Sequence, residues 1–249
     1  ALVLQSIDQE TPVMSNITFI LAGNRLVTVR YTEPKAFQIF SEKVCRGEPQ
    51  CSSGAQVLMG LLETLIQRQA DHIEKIQDDV ETLAPQIFGQ KSAGKGRGRR
   101  LDALLRTVGR AGDLTSRAQE CAVSFHRTLH YFADAARSRG EDSALLARID
   151  SAGRDVTSLV EHLKSLSGRA AFLLDATLGM ISNEQNQIIK LFSVMAVMLM
   201  PPTLVASVYG MNFKHMPELD WQWGYPLALA LMFVSALIPF IYFRRKGWL

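Results

Sequence analysis

Cysteine is scarce in this chain, with three residues among 249, at positions 45, 51 and 121. An odd number of sparse cysteines does not suit a disulfide framework, and no Cys or His pair follows Cys51 at the spacing of a zinc finger. We therefore predict three reduced thiols in a cytosolic setting. The chain also lacks a large excess of one charge sign, since its formal net charge is +3. This charge is too small to indicate nucleic-acid binding.

Patterns that carry catalysis are also missing. The sequence has no phosphate-binding loop, no nucleophile paired with a base and no cluster of metal ligands. His126 and His130 stand four residues apart and could hold a metal on one helix, but the absence of a third ligand favours surface or packing histidines. We expect no enzyme and no resident cofactor.

One long stretch is free of charge. From Leu191 to Phe213 no side chain is charged, which is enough for a helix to cross the roughly 30 Å hydrocarbon core of a bilayer. Small, polar or thioether side chains recur along it at spacings of three and four, and so share one helical face. This seam consists of Ser193, Ala196, Met200, Thr203, Ser207 and Gly210. A seam of this kind is hidden from lipid, so it either packs tightly against partner helices or lines water.

Pro201 and Pro202 lie within the same stretch. Each proline removes a backbone donor, which frees carbonyls one turn earlier, near Val197 and Met198. Inside a membrane such carbonyls survive where protein or water satisfies them. About five copies of this helix around an axis would enclose a narrow pore.

A second uncharged span runs from Tyr225 to Phe243, preceded by Trp221 and Trp223. Aromatic residues of this kind mark a membrane interface. The basic residues Arg244, Arg245 and Lys246 follow the span. The positive-inside tendency then places the C-terminus in the cytosol and the link between the two spans outside.

Tyr209-Gly210-Met211-Asn212 at the outer end of the first span is followed by Met216-Pro217-Glu218-Leu219, one further span and a basic, aromatic end. In this conjunction the chain resembles the CorA family of magnesium transporters, most closely from Asp175 onward. The resemblance implies an α+β, mostly helical membrane protein in the inner membrane of a bacterium, assembled as a funnel-shaped homopentamer. It also implies that Mg2+ or another divalent cation is cargo and a possible regulator.

The resemblance assigns site residues by register. The selectivity filter would comprise Tyr209, Gly210, Met211 and Asn212. Below the filter, the pore would be lined by Asn186, Ile189, Phe192, Ser193, Ala196, Met200, Thr203 and Ser207, with Phe192 as the apolar constriction. Asp175 would form an acidic ring at the cytosolic mouth, and Asp150 and Asp155 are candidates for half of a metal-sensing site.

The outer loop departs from the family pattern. Lys214 stands where many relatives place an acidic residue, and His215 follows it, whereas Glu218 and Asp220 remain acidic. Several copies of Lys214 at the mouth would repel cations within a Debye length. This departure leaves room for a preference for zinc, cobalt or nickel, or for export.

The remaining sequence predicts a partial cytosolic sheet followed by long helices. Because the chain starts on an apolar stretch without an initiator Met, we expect an N-terminal portion to precede it. Strands are predicted at 1–7, 14–21 and 25–31, with a hairpin turn at Gly23-Asn24. The predicted divisions are 1–34 (sheet), 35–140 (helices with a long antiparallel hairpin), 141–209 (stalk helix and first span), 210–224 (outer loop), 225–243 (second span) and 244–249 (basic tail).

Gln90 to Arg100 reads as a Gly-rich, basic loop at the tip of the helical hairpin. Its basic side chains could contact anionic lipid headgroups or a phosphate-rich partner. A solvated, mobile loop is favoured, because glycine interrupts any fixed patch.

Three functions remain open from the sequence. The first is a pentameric channel or transporter for divalent cations, with magnesium foremost. The second is a zinc transporter of the same superfamily, proton-coupled or exporting, although Met211 argues against it because such relatives usually carry another middle residue in the triplet. The third is a membrane-anchored oligomeric scaffold, which would need neither the polar seam nor Asn212.

Overall fold

The computed structural model describes residues 1–6, 13–47, 51–89, 97–212 and 221–248. Within these residues the chain is mostly helical, with one small antiparallel sheet. It divides into two compact units, Ala1–Leu178 and Gly179–Leu249. The predicted mostly helical α+β class is confirmed, whereas the pentameric funnel stays a prediction.

Three strands form the sheet in the order β1-β2-β3, with β1 at Leu2–Ser6, β2 at Val13–Ala22 and β3 at Arg25–Arg30. The turn between β2 and β3 contains Gly23 at φ 58°, a conformation that favours glycine. Alternation along β2 buries Ile17 on one face and leaves Ile20 exposed on the other. The predicted hairpin is confirmed, and the buried face packs against helices.

Three helices follow the sheet: α1 at Lys35–Cys45, α2 at Gly54–Phe88 and α3 at Arg97–Ser138. The Ser53 hydroxyl caps α2 by accepting a hydrogen bond from the Gln56 amide at 3.2 Å. The start of α2 also binds the hairpin turn, because the Gly54 amide donates to the Asn24 side-chain oxygen at 2.9 Å. Helices α2 and α3 pack against each other as the predicted antiparallel pair, with the Gln69 side chain of α2 donating to the Ala118 carbonyl of α3 at 3.3 Å, and they share one core with the sheet.

The predicted loop at Gln90–Arg100 is wrong at its C-terminal end. Arg97 to Arg100 form the first turn of α3, so this helix starts four residues earlier than the glycines suggested. Arginine is a good helix former, and three arginines offset the cost of Gly98. Residues 90–96 lie outside the described part of the chain.

Cys121 lies fully buried on α3, whereas Cys45 is exposed. Burial raises the pKa of the Cys121 thiol to about 12, the negative charge of Glu120 adds to this effect, and a hydrogen bond with the Leu4 backbone opposes it. This cysteine therefore stays protonated and unreactive near neutral pH.

Helix α4 runs from Ser143 to Tyr209, a length of 67 residues. Its first part packs along α2 within the unit Ala1–Leu178. Arg148 binds Glu63, and the Phe88 and Phe172 ring centroids lie 6.1 Å apart. Buried apolar side chains along this part of α4 include Leu145, Ile149, Val156, Leu163 and Leu166. The predicted long helix, continuous into the first span, is confirmed.

The unit Gly179–Leu249 contains the rest of α4 and helix α5 at Gly224–Arg245. In the described part of the chain, α4 and α5 are the two helices long and apolar enough to cross a membrane. The Lys190 ammonium lies 5.7 Å from the centroid of the Trp248 indole. Because Lys190 precedes the uncharged stretch of α4 and Trp248 follows α5, the two spans lie antiparallel.

Candidate ion pathway

The predicted pore-lining positions are exposed on α4. They are Asn186, Ile189, Phe192, Ser193, Ala196, Met200, Thr203 and Ser207. Even large apolar members are open, with Phe192 63% and Met200 68% exposed. Val194, on another face of the same helix, is only 1% exposed, and Ala228 of α5 is buried too. Within the described residues the polar seam has no cover, and apolar positions on other faces of this stretch, such as Leu199 and Leu204, are exposed too.

Thr203 shows how the seam presents its oxygen atoms. Its hydroxyl donates a hydrogen bond to the Leu199 carbonyl, one turn earlier, at 2.7 Å. The proton is therefore used inside the helix, and the remaining lone pairs of the hydroxyl oxygen are directed away from it as acceptors. An acceptor is what a cation or its hydrating water requires.

Helix α4 continues through Pro201 and Pro202 without a break. Neither proline has an N–H group, so the carbonyls of Val197 and Met198 lack the donor that normally follows four residues later. Val197 is an exposed position on the helix. These carbonyls need water or another chain as a partner when the helix lies in a membrane.

The predicted filter begins where α4 ends. The Gly210 amide donates to the Ala206 carbonyl at 2.9 Å, and the Met211 amide donates to Val208 at 3.3 Å. A Cβ atom at Gly210 would lie 3.0 Å from the Ala206 oxygen, so glycine fits this tight end best. Among the described residues, none donates a hydrogen bond to the carbonyl of Tyr209 or Gly210. The exposed side-chain amide of Asn212 forms no hydrogen bond with any described residue either.

The predicted acidic residues lie on the part of α4 that precedes its uncharged stretch. Asp175 is exposed. Asp150 accepts a hydrogen bond from Arg137 at 3.4 Å. Asp155 instead lines a shallow pocket together with Glu63. The structure therefore does not bring Asp150 and Asp155 into one site. No three His, Cys, Asp or Glu side chains among the described residues come close enough together to hold a metal.

His126 and His130 line an open groove between α3 and α4, with Asp150 and Glu161 on its other wall. The His130 Nδ1 atom lies 3.4 Å from the Asp134 carboxylate on the same helix. The ring is three-quarters exposed, which agrees with the surface role favoured from the sequence.

A family model described as CorA-like Mg2+ transporter protein matches residues 2–245. The chain belongs to the CorA family. It is 39% identical over 236 residues to the magnesium transport protein CorA of Yersinia pseudotuberculosis, covering 94% of this chain and 72% of the relative. It is 37% identical over 235 residues to the magnesium transport protein CorA of Escherichia coli K12, with the same coverage.

Solved structures show the same fold. The CorA magnesium transporter from Methanocaldococcus jannaschii superposes with a TM-score of 0.66 at 17% identity, over 100% of this chain and 77% of that one. The full-length CmaX protein superposes with a TM-score of 0.61 at 18% identity, over 99% of this chain and 73% of that one. The family model covers residues 2–245, so membership of the CorA family extends well before the motifs that follow Asp175. The family consists of ion transporters, which confirms that the chain is not an enzyme.

Three predicted residues of the CorA-like outer loop, Lys214, Glu218 and Asp220, lie outside the described residues. Sequence reasoning missed a different cluster, in which Lys190 and Lys246 meet the aromatic residue Trp248. The available signal was Gly247, two residues after Arg245 at the end of α5, since a glycine at that position turns the chain back along its helix.

Proposed function

We propose that this CorA-family chain transports Mg2+ as a hydrated ion through a pore built from several copies of α4. By the family resemblance the number of copies is five. The pore would cross the inner membrane of a bacterium with both termini in the cytosol. The names of the 39% and 37% identical relatives support magnesium as the cargo.

The uncovered seam of α4 carries the proposal. Its side chains are exposed in the single chain, whereas Val194 on another face of α4 is buried. In a membrane, hydroxyl and thioether groups at helical spacing are placed against other helices or water. Copies of α4 facing a common axis would give this seam both neighbours and water.

The outer end suits a hard, strongly hydrated cation. Magnesium loses water reluctantly and is usually bound with several waters retained. The carbonyls of Tyr209 and Gly210 and the Asn212 amide offer neutral oxygen atoms that can accept hydrogen bonds from that hydration shell. A ring of such weak acceptors releases the ion more readily than a carboxylate ring would. An inside-negative potential then favours entry by about 4.6 kcal/mol per 100 mV for a divalent ion.

Gating by cytosolic metal would involve groups of neighbouring copies. Asp175 would form a ring at the cytosolic mouth, and Asp150 or Asp155 would supply one half of a site between subunits. The Asp155 carboxylate is exposed, and Asp150 shares only a long contact with Arg137. Both carboxylates therefore remain accessible to a second subunit.

Flux into proteoliposomes that contain a metal-sensitive dye tests the proposal, with Mg2+, Co2+, Ni2+ and Zn2+ supplied separately. We expect flux of Mg2+, and its loss by tenfold or more in Asn212→Ala. Gln222→Ala is the matched control, because it removes another exposed amide close to the start of α5. This control should transport like the unmodified protein.

The same assay separates the other functions. Zn2+ flux that requires a pH gradient, without Mg2+ flux, would replace magnesium by the zinc alternative. Absence of flux for every metal would leave a membrane scaffold. Equal loss in Asn212→Ala and Gln222→Ala would remove the filter from the proposal.

A further inference from the structure

A cluster of basic and aromatic residues lies at the end of the membrane hairpin that holds the C-terminus. The Lys246 ammonium is 5.0 Å from the Trp248 ring centroid, and the Lys190 ammonium is 5.7 Å from the same centroid. Lys246 also lies 5.7 Å from the Tyr242 ring. We call Lys190, Tyr242, Lys246 and Trp248 the basic–aromatic cluster.

The backbone fixes this arrangement. Gly247 has φ 70°, its amide donates to the Arg244 carbonyl, and the Trp248 amide donates to the Phe243 carbonyl at 3.1 Å. This pair of hydrogen bonds is the Schellman motif, which ends a helix by turning the chain back along it. The apolar contact that accompanies the motif is also present, because the Phe243 and Trp248 rings stack with centroids 5.4 Å apart. The indole is thus held in place by the helix end itself.

Among the described residues, the basic–aromatic cluster and the neighbouring Arg244 and Arg245 have no acidic partner. Within the described residues, none of the basic side chains Lys190, Arg244, Arg245 and Lys246 forms an ion pair. Because the Lys190 and Lys246 ammonium groups share one ring, they are less than about 11 Å apart, which is close to the Debye length at physiological salt. An anion that lies between them would be attracted by both ammonium groups.

We propose that the basic–aromatic cluster binds the phosphate of an anionic phospholipid headgroup. Charge complementarity selects the occupant, since four cationic side chains at the membrane-adjacent end of two spans match the surface of an anionic leaflet. Tyr242 and Trp248 are the residue types that settle at headgroup depth. The site joins α4 to α5, so a bound lipid clamps the base of the pore-lining helix to the outer span. This proposal rests on the membrane placement of α4 and α5 but not on which ion is carried.

Lipid retention tests the proposal without any flux measurement. The full chain is purified in mild detergent, incubated with equal amounts of phosphatidylglycerol and phosphatidylcholine, and weighed with its bound lipids by native mass spectrometry. We expect the unmodified chain to retain more phosphatidylglycerol than phosphatidylcholine. The ratio of the two retained lipids should fall about fivefold for each lysine removed in Lys190→Gln/Lys246→Gln. Trp248→Leu, which keeps every charge, should lower it about twofold to fivefold.

Two further variants serve as controls. Lys43→Gln/Lys164→Gln removes two exposed lysines from the unit Ala1–Leu178 and should leave the enrichment unchanged. Lys190→Arg/Lys246→Arg keeps the charge and should retain the lipid, which would show that the positive charge is what the site requires. Equal enrichment in all variants, or an equal fall in both glutamine pairs, would overturn the proposal.

Free phosphate is the competing source of the same chemistry. Inorganic phosphate and sodium chloride are therefore added at matched ionic strength. Equal, small effects of the two salts support a lipid site, because the acyl chains hold the headgroup in place. Displacement of phosphatidylglycerol by phosphate alone would overturn the lipid assignment in favour of a phosphate site.

Discussion

Arg148 on α4 holds Glu63 on α2 through two hydrogen bonds, from Nε to Oε1 at 3.1 Å and from Nη2 to Oε2 at 2.7 Å. The planar guanidinium matches a carboxylate in this bidentate geometry, which is stronger than a single contact. Hydrogen bonding to Glu63 raises the pKa of Arg148 above its usual value. Both side chains are about two-fifths exposed, so water screens the pair and limits its contribution to the free energy of unfolding.

Arg148→Ala is expected to lower the free energy of unfolding by about 1 kcal/mol. Arg148→Lys should recover about half of that loss, because it restores the charge but not the fork of two donors. Thermal unfolding of the full chain in detergent, followed by circular dichroism, measures the change. Arg169→Ala is the matched control, since its single contact with Glu81 is longer, at 3.4 Å, and both groups are more exposed. A larger effect at Arg169 than at Arg148 would contradict the importance of bidentate geometry.

Gly54 lets α2 start directly against the β2–β3 turn. A Cβ atom at this position would lie 2.8 Å from the Asn24 carbonyl oxygen and 2.9 Å from its carbon, both of which are backbone atoms. We expect Gly54→Ala to destabilise the chain by about 1–3 kcal/mol, because either the helix or the hairpin must shift. The hydrogen bond from the Gly54 amide to the Asn24 side chain would weaken with that shift.

Gly109→Ala is the control for Gly54→Ala. Gly109 lies within α3, and nothing would stand within 4 Å of its Cβ atom. Alanine there should stabilise the helix by about 0.5–1 kcal/mol, since glycine is the poorer helix former. The two changes in unfolding free energy should therefore have opposite signs in the same denaturation experiment. Equal signs would show that the space around Gly54 does not decide the outcome.

Local signals predicted the elements well. Gly23 and Asn24 indicated the hairpin because few residues adopt a left-handed turn, and the spacing of Leu145, Ile149 and Val156 indicated one face of a long helix. The polar seam was also predictable, since all of its members lie on one helix whose geometry is regular.

Contacts between distant segments were not predictable in this way. The pairing of Arg148 with Glu63 spans 85 residues and depends on how the side chains of α2 and α4 interdigitate. The approach of Lys190 to Trp248 needs two antiparallel spans and the turn at Gly247 together. At the candidate site, the ring that would complete the filter requires several copies, which no pattern within one chain can position.

Thr203→Val tests whether the seam lines water. The substitution keeps the shape of the side chain but removes the oxygen, whose proton is already donated to the Leu199 carbonyl. If this oxygen accepts a hydrogen bond from the ion's hydration shell, its loss should raise the barrier by about 1 kcal/mol and lower Mg2+ flux about fivefold. Ser235→Ala on α5 is the control, because that hydroxyl donates to the Met232 carbonyl within its own helix and lies outside the proposed pathway. Unchanged flux in Thr203→Val, with normal protein incorporation into liposomes, would mean that the seam serves helix packing alone.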